Sequence, residues 1–288
     1  MRSIAALLTC FNRKERTISC LKHLLIAVEF CTDVIDITIH LTDDGSTDET
    51  SKLVAELFPD VIILKGNGSL YWAGGMRNSW QEAIRKEYDG YLLLNDDTEV
   101  DSDLIVKILK TDEYCQNKYS QKGIYIGSTC DKSTGKTTYG GAVIINKVLF
   151  TSQRLVPNNS VLECELGNAN IMFVANEVVE KIGILSKSYT HGLADSDYTL
   201  RAKKQKIPVL VMENHCGTCS NNPDKYSKFI NLTFTKRIKF LYSPIGLAFN
   251  DQLKFMMKFF PYRLPFVFLS GWLKVILPHF YIRMNKLR

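Results

Sequence analysis

The chain has 288 residues, enough for one large domain or for a domain with an appendage. Its apolar fraction of 45% and charged fraction of 23% are ordinary for a globular protein, and the sequence shows no internal repeat or low-complexity tract, which excludes repeat and fibrous architectures. The apolar run Ile4–Cys10 is too short for a secretory signal, so we expect no signal peptide.

The net charge of +6 conceals a difference between the two parts of the chain. From residue 223 onwards there are twelve Lys or Arg residues and two acids, a net charge of +10. Residues 1–222 carry 24 basic and 28 acidic residues, a net charge of −4. This distribution is typical of a slightly acidic body with a basic, aromatic-rich appendage that seeks a surface. We therefore predict two domains, 1–222 and 223–288.

The eight cysteines show no spacing that indicates a disulfide framework. Only Cys216 and Cys219 form a CxxC pair, and neither a second such pair nor an HxxxH motif accompanies it. Reduced thiols in a cytosolic protein are therefore the expectation, and a structural zinc site is the less favoured alternative.

The predicted elements of the N-terminal part alternate between strands and helices. Strands are predicted over 3–9, 33–41, 61–64 and 91–94, and helices over 12–27, 46–58 and 76–86. Asn12 with Glu15 and Ser46 with Glu49 have the spacing of capping boxes at two helix starts. A glycine-rich loop is predicted over 65–75. This alternation predicts a mostly parallel, doubly wound α/β sheet.

The stretch from Tyr91 to Asp103 is where we expect the functional site to form. The apolar run ends abruptly at Asn95, Asp96 and Asp97. Ligands of open α/β sheets bind beyond the carboxyl ends of the strands. Two adjacent carboxylates there could hold a divalent cation and accept a hydrogen bond from a sugar hydroxyl. An Asp-rich turn before the next helix is the alternative.

After Lys110 the regular alternation gives way to a mixture of strands, loops and short helices. Strands are predicted over 123–128, 138–145, 168–174 and 208–212, and helices over 176–182 and 196–204. A polar loop, 189–195, precedes the second helix, and His215 follows the last strand. Beyond Asn222 the sequence has a helical, basic and aromatic character.

Polar residues follow several of these strands, and their motifs resemble those of the family 2 inverting glycosyltransferases, which have the GT-A fold. In the family's order the motifs are TCFNR (9–13), TDDGSTD (42–48), GNGSLYWAGGMRN (66–78), NDDT (95–98), LADSDYTLRAKKQ (193–205) and His215. Each motif alone is weak, but six in this order are specific, and they cover roughly residues 1–217. The sequence is closest in character to bacterial enzymes that build surface polysaccharide such as O-antigen or capsule, including rhamnosyltransferase-like members.

The resemblance implies a nucleotide-sugar donor, UDP- or dTDP-linked, bound by the first four motifs. The residues that it assigns to the donor are Thr9, Asn12, Arg13, Asp43, Asn67, Trp72, Gly75, Asn78 and Asp96. Asp43 could accept a hydrogen bond from uracil or ribose, or it could cap a helix. Glycines would let the backbone approach the nucleotide closely, and Trp72 could stack on a base or sugar, or belong to the core. Arg77 could meet a phosphate or lie on a solvated helix face.

The same resemblance implies a divalent cation, Mn²⁺ or Mg²⁺, held by Asp97 and His215. That cation would neutralise charge on the departing diphosphate, and a turn or capping role for His215 stays open. Asp195 is the implied general base, which would accept the proton of an acceptor hydroxyl and lead to inversion at the anomeric carbon. Ala194 stands where the family usually has Glu.

Other classes of protein fit these motifs less well. A dinucleotide-dependent oxidoreductase needs GxGxxG after the first strand, and residues 9–12 lack it. A sugar nucleotidyltransferase would need a glycine-rich, Arg-containing loop at the same place. The sequence therefore predicts inverting, metal-dependent sugar transfer to a hydroxyl of a glycan acceptor that is lipid-linked. A catalytically silent nucleotide-sugar or glycan-binding module is the alternative.

The C-terminal appendage is predicted to lie on a membrane surface. The run Leu264–Ile282 is nearly long enough to span a bilayer, but Lys274, Pro265 and Pro278 interrupt it. Basic residues alternate with Phe, Leu, Ile and Trp, which suits an anionic leaflet better than nucleic acid, so we expect no nucleic-acid partner. The expected location is cytoplasmic, at the inner face of the plasma membrane. Packing on the catalytic domain, or a homodimer contact through these helices, stays open.

Overall fold

A ten-stranded mixed sheet forms the centre of the protein in a computed structural model, which describes residues 3–221 and 229–286. Its strands are β1 (Ser3–Cys10), β2 (Asp36–Asp43), β3 (Ile62–Lys65), β4 (Gly90–Leu94), β5 (Glu99–Val100), β6 (Ile124–Cys130), β7 (Thr137–Tyr139), β10 (Leu162–Glu163), β12 (Ile171–Ala175) and β13 (Val209–Thr218). A small antiparallel sheet contains β8 (Gly141–Asn146), β9 (Thr151–Arg154) and β11 (Leu166–Gly167).

The central sheet has the strand order β10-β13-β6-β12-β4-β1-β2-β3. Strands β4, β1, β2 and β3 run parallel, and so do β13 and β6. Strand β12 lies antiparallel between β4 and β6. The predicted mostly parallel α/β sheet is therefore confirmed.

The helices follow the strands in the order that the sequence predicts. They are α1 (Lys14–Phe30), α2 (Thr50–Leu57), α3 (Tyr71–Ala83), α4 (Leu104–Tyr119), α5 (Asn176–Ile182), α6 (Ala194–Lys204), α7 (Phe234–Tyr242), α8 (Phe249–Phe259), α9 (Leu264–Ile276) and α10 (Pro278–Lys286). The predicted C-terminal helical region is therefore present.

Strands β1 and β4 form the centre of the hydrophobic core and bring the site residues together. Residues 4–10 and all of β4 are buried, as expected for apolar strands covered on both faces. Leu7 pairs with Leu93, and Cys10 pairs with Asp43. The carboxyl ends of β4, β1 and β2 therefore lie side by side at one edge of the sheet.

Two helix starts differ from the predicted capping boxes. Helix α1 begins at Lys14 and α2 at Thr50, and neither has a side-chain cap. The side chain of Asn12 instead accepts a hydrogen bond from the Thr47 backbone N–H (2.7 Å), and the Ser46 hydroxyl accepts one from the Asn12 N–H (2.9 Å). Both capping-box predictions are wrong because these side chains join the two loops to each other.

The predicted glycine-rich loop and the predicted strand 138–145 also need correction. Helix α3 begins at Tyr71, so Gly74 and Gly75 lie inside the helix. The strand is two strands, β7 in the central sheet and β8 in the small one. They separate at Gly140, where a Cβ would lie 2.4 Å from the Ser128 hydroxyl oxygen.

The C-terminal helices contribute to two hydrophobic clusters. Phe255 and Met256 of α8, and Phe260 after it, belong to the main core. A second cluster forms around Phe249 and Val275 of α8 and α9. The predicted boundary between residues 222 and 223 lies outside the described residues, so the division into two domains stays a prediction.

The described helices of the appendage are short, and the longest of them is α9 with 13 residues. Across residues 3–221 and 229–286, no helix combines the length and the apolar character that crossing a membrane requires.

Candidate active site

A cavity of about 940 Å³ opens at the edge of the sheet where β1, β2 and β4 end. One wall comes from the predicted donor motifs and includes Thr9, Cys10, Phe11, Arg13, Asp44, Gly68, Tyr71, Trp72, Asn95, Asp96 and Asp97. The other wall comes from the second part of the chain and includes Tyr139, Arg154, Asn168, Ala169, His191, Asp195, Ser196 and Ile245. The proposed base and the carboxylate pair thus line a single space.

The carboxylate pair at the end of β4 is bridged by an arginine from the β1 loop. Arg13 Nη1 lies 3.1 Å from Asp96 Oδ1 and 2.8 Å from Asp97 Oδ2. Arg16 adds a longer contact to Asp97 of 3.7 Å. Asp96 is only 5% exposed, and burial raises its pKa to about 7, although the positive charge of Arg13 opposes that shift. Arg13 therefore partly neutralises the negative charge of this wall.

The carboxylate oxygens of Asp96 and Asp97 suit a hard cation that also binds oxygens of a substrate. Asp96 Oδ2 is buried and has no hydrogen-bond partner, so it is an oxygen available to a ligand. Mg²⁺ and Mn²⁺ commonly bind one or two carboxylates and take further oxygens from phosphates. Within residues 3–221 and 229–286, no group of three His, Cys, Asp or Glu side chains could hold a metal alone. A cation here would be held by Asp96, Asp97 and donor oxygens together.

The predicted second metal ligand, His215, does not lie at the carboxylate pair. Its Nε2 is 2.9 Å from the Thr137 hydroxyl, and His215 is not among the residues that line the cavity. Cys219, directly after β13, reaches the pair instead, with its Sγ 3.8 Å from Asp97 Oδ1. Burial raises the pKa of Cys219 to about 11, which keeps it a thiol. The described contacts bring Cys219 to Asp97 and His215 to Thr137, so the role of His215 as a metal ligand stays a prediction.

Residues of the first two motifs divide between the cavity and the loops that shape it. Thr9 lines the cavity, whereas Asn12 and Asp43 do not. Asp43 Oδ1 accepts a hydrogen bond from the Ser46 N–H (2.8 Å), and its Oδ2 accepts one from the Ser51 hydroxyl. Both oxygens of Asp43 thus accept hydrogen bonds, one from the loop that follows β2 and one from the first turn of α2.

The neighbouring carboxylate, Asp44, organises the glycine-rich segment. Its Oδ1 accepts a hydrogen bond from the Gly68 N–H and its Oδ2 one from the Tyr71 N–H, each at 2.9 Å. Asn67 is exposed and accepts the Ser69 N–H in a tight turn (2.9 Å). Asp44 lines the cavity and Asn67 does not. The sequence could have indicated Asp44 because it stands within the same motif as Asp43.

Helix α3 supplies the remaining predicted donor residues. Trp72 lines the cavity, and its Nε1 donates to Asn95 Oδ1 (2.7 Å). Asn78 donates to the Thr42 hydroxyl (3.2 Å) and does not line the cavity. A Cβ on Gly75 would lie 2.0 Å from Thr9 Oγ1. The close approach that Gly75 permits is therefore that of helix α3 to strand β1.

Asp195 lies in the first turn of α6 and lines the same cavity as the carboxylate pair. Its Oδ2 accepts hydrogen bonds from the Ala169 N–H (3.3 Å) and Asn168 Nδ2 (3.2 Å), and its Oδ1 accepts one from the Ser196 N–H (2.7 Å). Burial raises the pKa of Asp195 above the ordinary carboxyl value, and the backbone N–H groups oppose that rise. The group combines a fixed orientation with increased basicity.

Several cavity residues lie outside the sequence motifs, and Tyr139, Arg154 and Ile245 are three of them. Arg154 comes from β9, which was not predicted, and Tyr139 comes from β7, which overlaps the predicted strand 138–145. Ile245 comes from the loop between α7 and α8, in the appendage. All three reach the site through tertiary packing, which one-dimensional patterns do not encode.

Comparisons with known proteins identify the family. A model described as "Glycosyl transferase family 2" matches residues 6–164. The crystal structure of S. aureus TarS residues 1–349 is similar with a TM-score of 0.47 and 13% identity, over 88% of this chain and 69% of that chain. No curated protein sequence matches significantly. Because the family model covers more than half of the chain, the protein belongs to glycosyl transferase family 2, and its sheet with flanking helices is a GT-A α/β fold.

Proposed function

We propose that the protein transfers a sugar from a UDP- or dTDP-sugar to a hydroxyl of a glycan acceptor, with inversion. The observation that carries this proposal is that Asp195 and the Asp96–Asp97 pair line the same cavity. Asp195 accepts the proton of the acceptor hydroxyl as that oxygen bonds to the anomeric carbon. The bond from the anomeric carbon to the diphosphate breaks, and the nucleoside diphosphate leaves with the electron pair.

The donor wall has groups suited to a nucleoside diphosphate. Trp72 and Tyr71 offer ring faces, and Arg13 offers a guanidinium that can exchange carboxylate contacts for phosphate contacts. The family generally uses divalent metals, and a cation at Asp96 and Asp97 would stabilise negative charge on the leaving diphosphate. We propose these roles for the donor residues of the first four motifs.

A catalytically silent sugar-binding module is the second candidate, and Arg13 is the observation that favours it. Its guanidinium already contacts one oxygen of each carboxylate that a cation would need. If Arg13 stayed there with donor bound, the site would bind without catalysing transfer. The two candidates therefore differ in whether donor is consumed.

The experiment that decides between them is a screen of UDP-, dTDP- and GDP-sugars with Mn²⁺, with Mg²⁺ and with EDTA. Release of nucleoside diphosphate is measured along with the thermal shift. Metal-dependent release supports the transferase. A thermal shift without release from any donor supports the binding module, and neither response to any donor contradicts both.

We further propose a lipid-linked acceptor at the inner face of the plasma membrane, in bacterial polysaccharide synthesis of the rhamnosyltransferase-like kind. Helix α9 supports the membrane contact. Phe266, Leu269 and Ile276 are 66%, 65% and 57% exposed and share one helix face, whereas Gly271 and Val275 are buried on the other. With the net charge of +10 after residue 222, this face suits an anionic leaflet.

A further inference from the structure

Residues 186–197, here called the base segment, carry Asp195 into the cavity and are held from two sides. On the first side, Arg77 of α3 donates from Nη1 to the carbonyls of Ser186 and Tyr189, each at 2.9 Å. The Ala73 N–H donates to the Thr190 carbonyl (3.2 Å). Arg77 is thus neither a phosphate ligand nor a solvated side chain, and α3 connects the donor wall to the base segment.

Helix α8 of the appendage holds the second side of the base segment. Asp251 Oδ2 accepts a hydrogen bond from the Thr190 N–H (3.1 Å), and Lys254 Nζ donates to the Ser188 carbonyl (2.9 Å). Lys258 Nζ lies 2.5 Å from Asp197 Oδ1. Three side chains spaced along one face of α8 therefore contact the same segment.

The contact between Lys258 and Asp197 is the one nearest to the proposed base. Asp197 is fully buried and is also bonded by Arg201 Nε (3.0 Å) and by the Tyr189 hydroxyl (3.0 Å). A buried carboxylate requires such partners because it has lost its hydration. Asp195 and Asp197 share the first turn of α6, so the position of one constrains the other.

Helix α8 can act as a fixed support because it is itself part of the main core. Phe255 packs against Phe150 and Phe260, with ring centroids 5.7 Å and 6.3 Å away. Just before α8, Ile245 lines the cavity. The appendage thus contributes both a cavity residue and the support of the base segment.

We propose that Lys258 is a positioning residue for Asp195, and that α8 belongs to the catalytic unit. The inference rests on the proposed transferase function. Lys258 does not touch the cavity, so it acts through Asp197 on the orientation of the first turn of α6. If α8 positions Asp195 in this way, the appendage is required for turnover even when no membrane is present.

The test replaces Lys258 by Met, which keeps the length of the side chain and removes its charge. Diphosphate release from the donor identified in the screen is measured in the absence of acceptor, with water in the acceptor's place. We expect kcat to fall about 10-fold with the donor KM within about twofold, because a small misplacement of a catalytic group slows the chemical step. Lys258→Arg should restore most of the rate.

Two further measurements separate positioning from a loss of fold. Lys236→Met removes the same charge from the exposed face of α7 and should leave kcat unchanged. Hydrogen exchange of the base segment should accelerate in Lys258→Met and not in Lys236→Met. Lys254→Met removes the bond to the Ser188 carbonyl and a 4.0 Å contact with Asp251, which keeps its hydrogen bond from the Thr190 N–H. A smaller fall in kcat and faster exchange of the base segment in that variant carry the test if Lys258→Met does not fold.

The outcomes distinguish this inference from the proposed function. A wild-type enzyme that turns over while folded Lys258→Met keeps its kcat, or while Lys258→Arg fails to restore a lost rate, overturns the positioning role alone. An increase in donor KM at constant kcat also overturns it. A wild-type protein that releases diphosphate from no donor contradicts the proposed function instead.

Discussion

Asp195 has the two properties that a general base requires, contact with the cavity and a raised pKa. Asp195→Asn keeps the shape and one of the two acceptor oxygens but cannot take a proton. We expect kcat to fall by at least about 10²-fold with nearly unchanged donor affinity. Collapse of donor binding in this variant would make Asp195 a donor ligand, and retention of anomeric configuration in the product would contradict single displacement.

The raised pKa of Asp195 also determines the pH dependence of activity and stability. The base must be ionised, so kcat should decline as pH falls through a value above that of an ordinary carboxyl group, and a fit of the acid limb measures it. The folded state binds this proton more tightly than the unfolded state, so the group's contribution to stability is lost as pH rises. The difference in melting temperature between wild type and Asp195→Asn should therefore be smaller at pH 8 than at pH 5.

Asp97 is the residue at which metal dependence is tested. Asp97→Ala should abolish the stimulation of diphosphate release by Mn²⁺ while leaving the fold intact, because a carboxylate at a strand end contributes little packing. His215→Ala is the matched variant, since His215 lies outside the cavity. Equal loss of metal response in both variants would show that His215 is also a metal ligand. Full turnover of wild type in EDTA would contradict metal dependence altogether.

At the scale of elements, Gly75 shows how the donor wall depends on the packing of α3 against β1. A Cβ there would lie 2.0 Å from Thr9 Oγ1, so Gly75→Ala must displace the helix or the strand. We expect a loss of about 1–3 kcal/mol in the free energy of unfolding, measured by urea denaturation. Gly192→Ala is the control because a Cβ at Gly192 meets nothing within 4 Å. Equal stability of the two variants would contradict the close packing.

The elements that the sequence predicted well are those whose signal is local. The buried runs of β1 and β4 and the helix Asn176–Ile182 follow from apolar periodicity alone. The capping boxes failed because Asn12 and Ser46 hydrogen-bond across two loops, which local spacing does not reveal. The start of α3 was placed too late because Gly74 and Gly75 favour a loop in isolation and tertiary packing favours the helix.

At the scale of the site, the motifs predicted most cavity residues from the first part of the chain but few of those from the second part. The carboxylate pair and Asp195 were predicted, and they line the same cavity. The bridge from Arg13 to both carboxylates and the approach of Cys219 to Asp97 depend on the loop after β1 and on the chain beyond β13. The contacts of α8 with the base segment join residues about 60 positions apart, so no motif contains them.

At the scale of the whole molecule, α8 packs into the main core whereas one face of α9 is exposed. This difference determines how membrane binding should be tested. Removing everything after residue 222 would strip Phe255 and Phe260 from the main core, so truncation would confound binding with unfolding. Substitutions on the exposed face of α9 leave that core intact. They therefore isolate the surface that is proposed to meet the membrane.

The test compares Phe266→Ser, Leu269→Ser and Ile276→Ser, combined in one variant, with the wild-type protein in liposome co-sedimentation. Partial burial of each apolar side chain in the bilayer adds a fraction of about 1.5–3 kcal/mol to the free energy of membrane binding. Each basic residue near an anionic surface adds about 1 kcal/mol, and this contribution declines with salt. We expect wild type to bind vesicles that contain anionic lipid and to dissociate as salt increases. The triple variant should bind at least about 10-fold more weakly because it lacks the apolar term.

The matched control replaces Ile26, Val34 and Leu57 by Ser, since these side chains are also exposed but lie on the body of the protein. It should bind vesicles as wild type does. Binding that ignores lipid charge and salt would contradict the electrostatic part of the proposal, and equal loss in both triple variants would contradict the assignment to α9. If wild type binds no vesicle and instead forms a dimer that the α9 variant abolishes, the exposed face is a contact between two copies. In that event the +10 charge after residue 222 would have to serve something other than a leaflet, because two like-charged appendages repel each other.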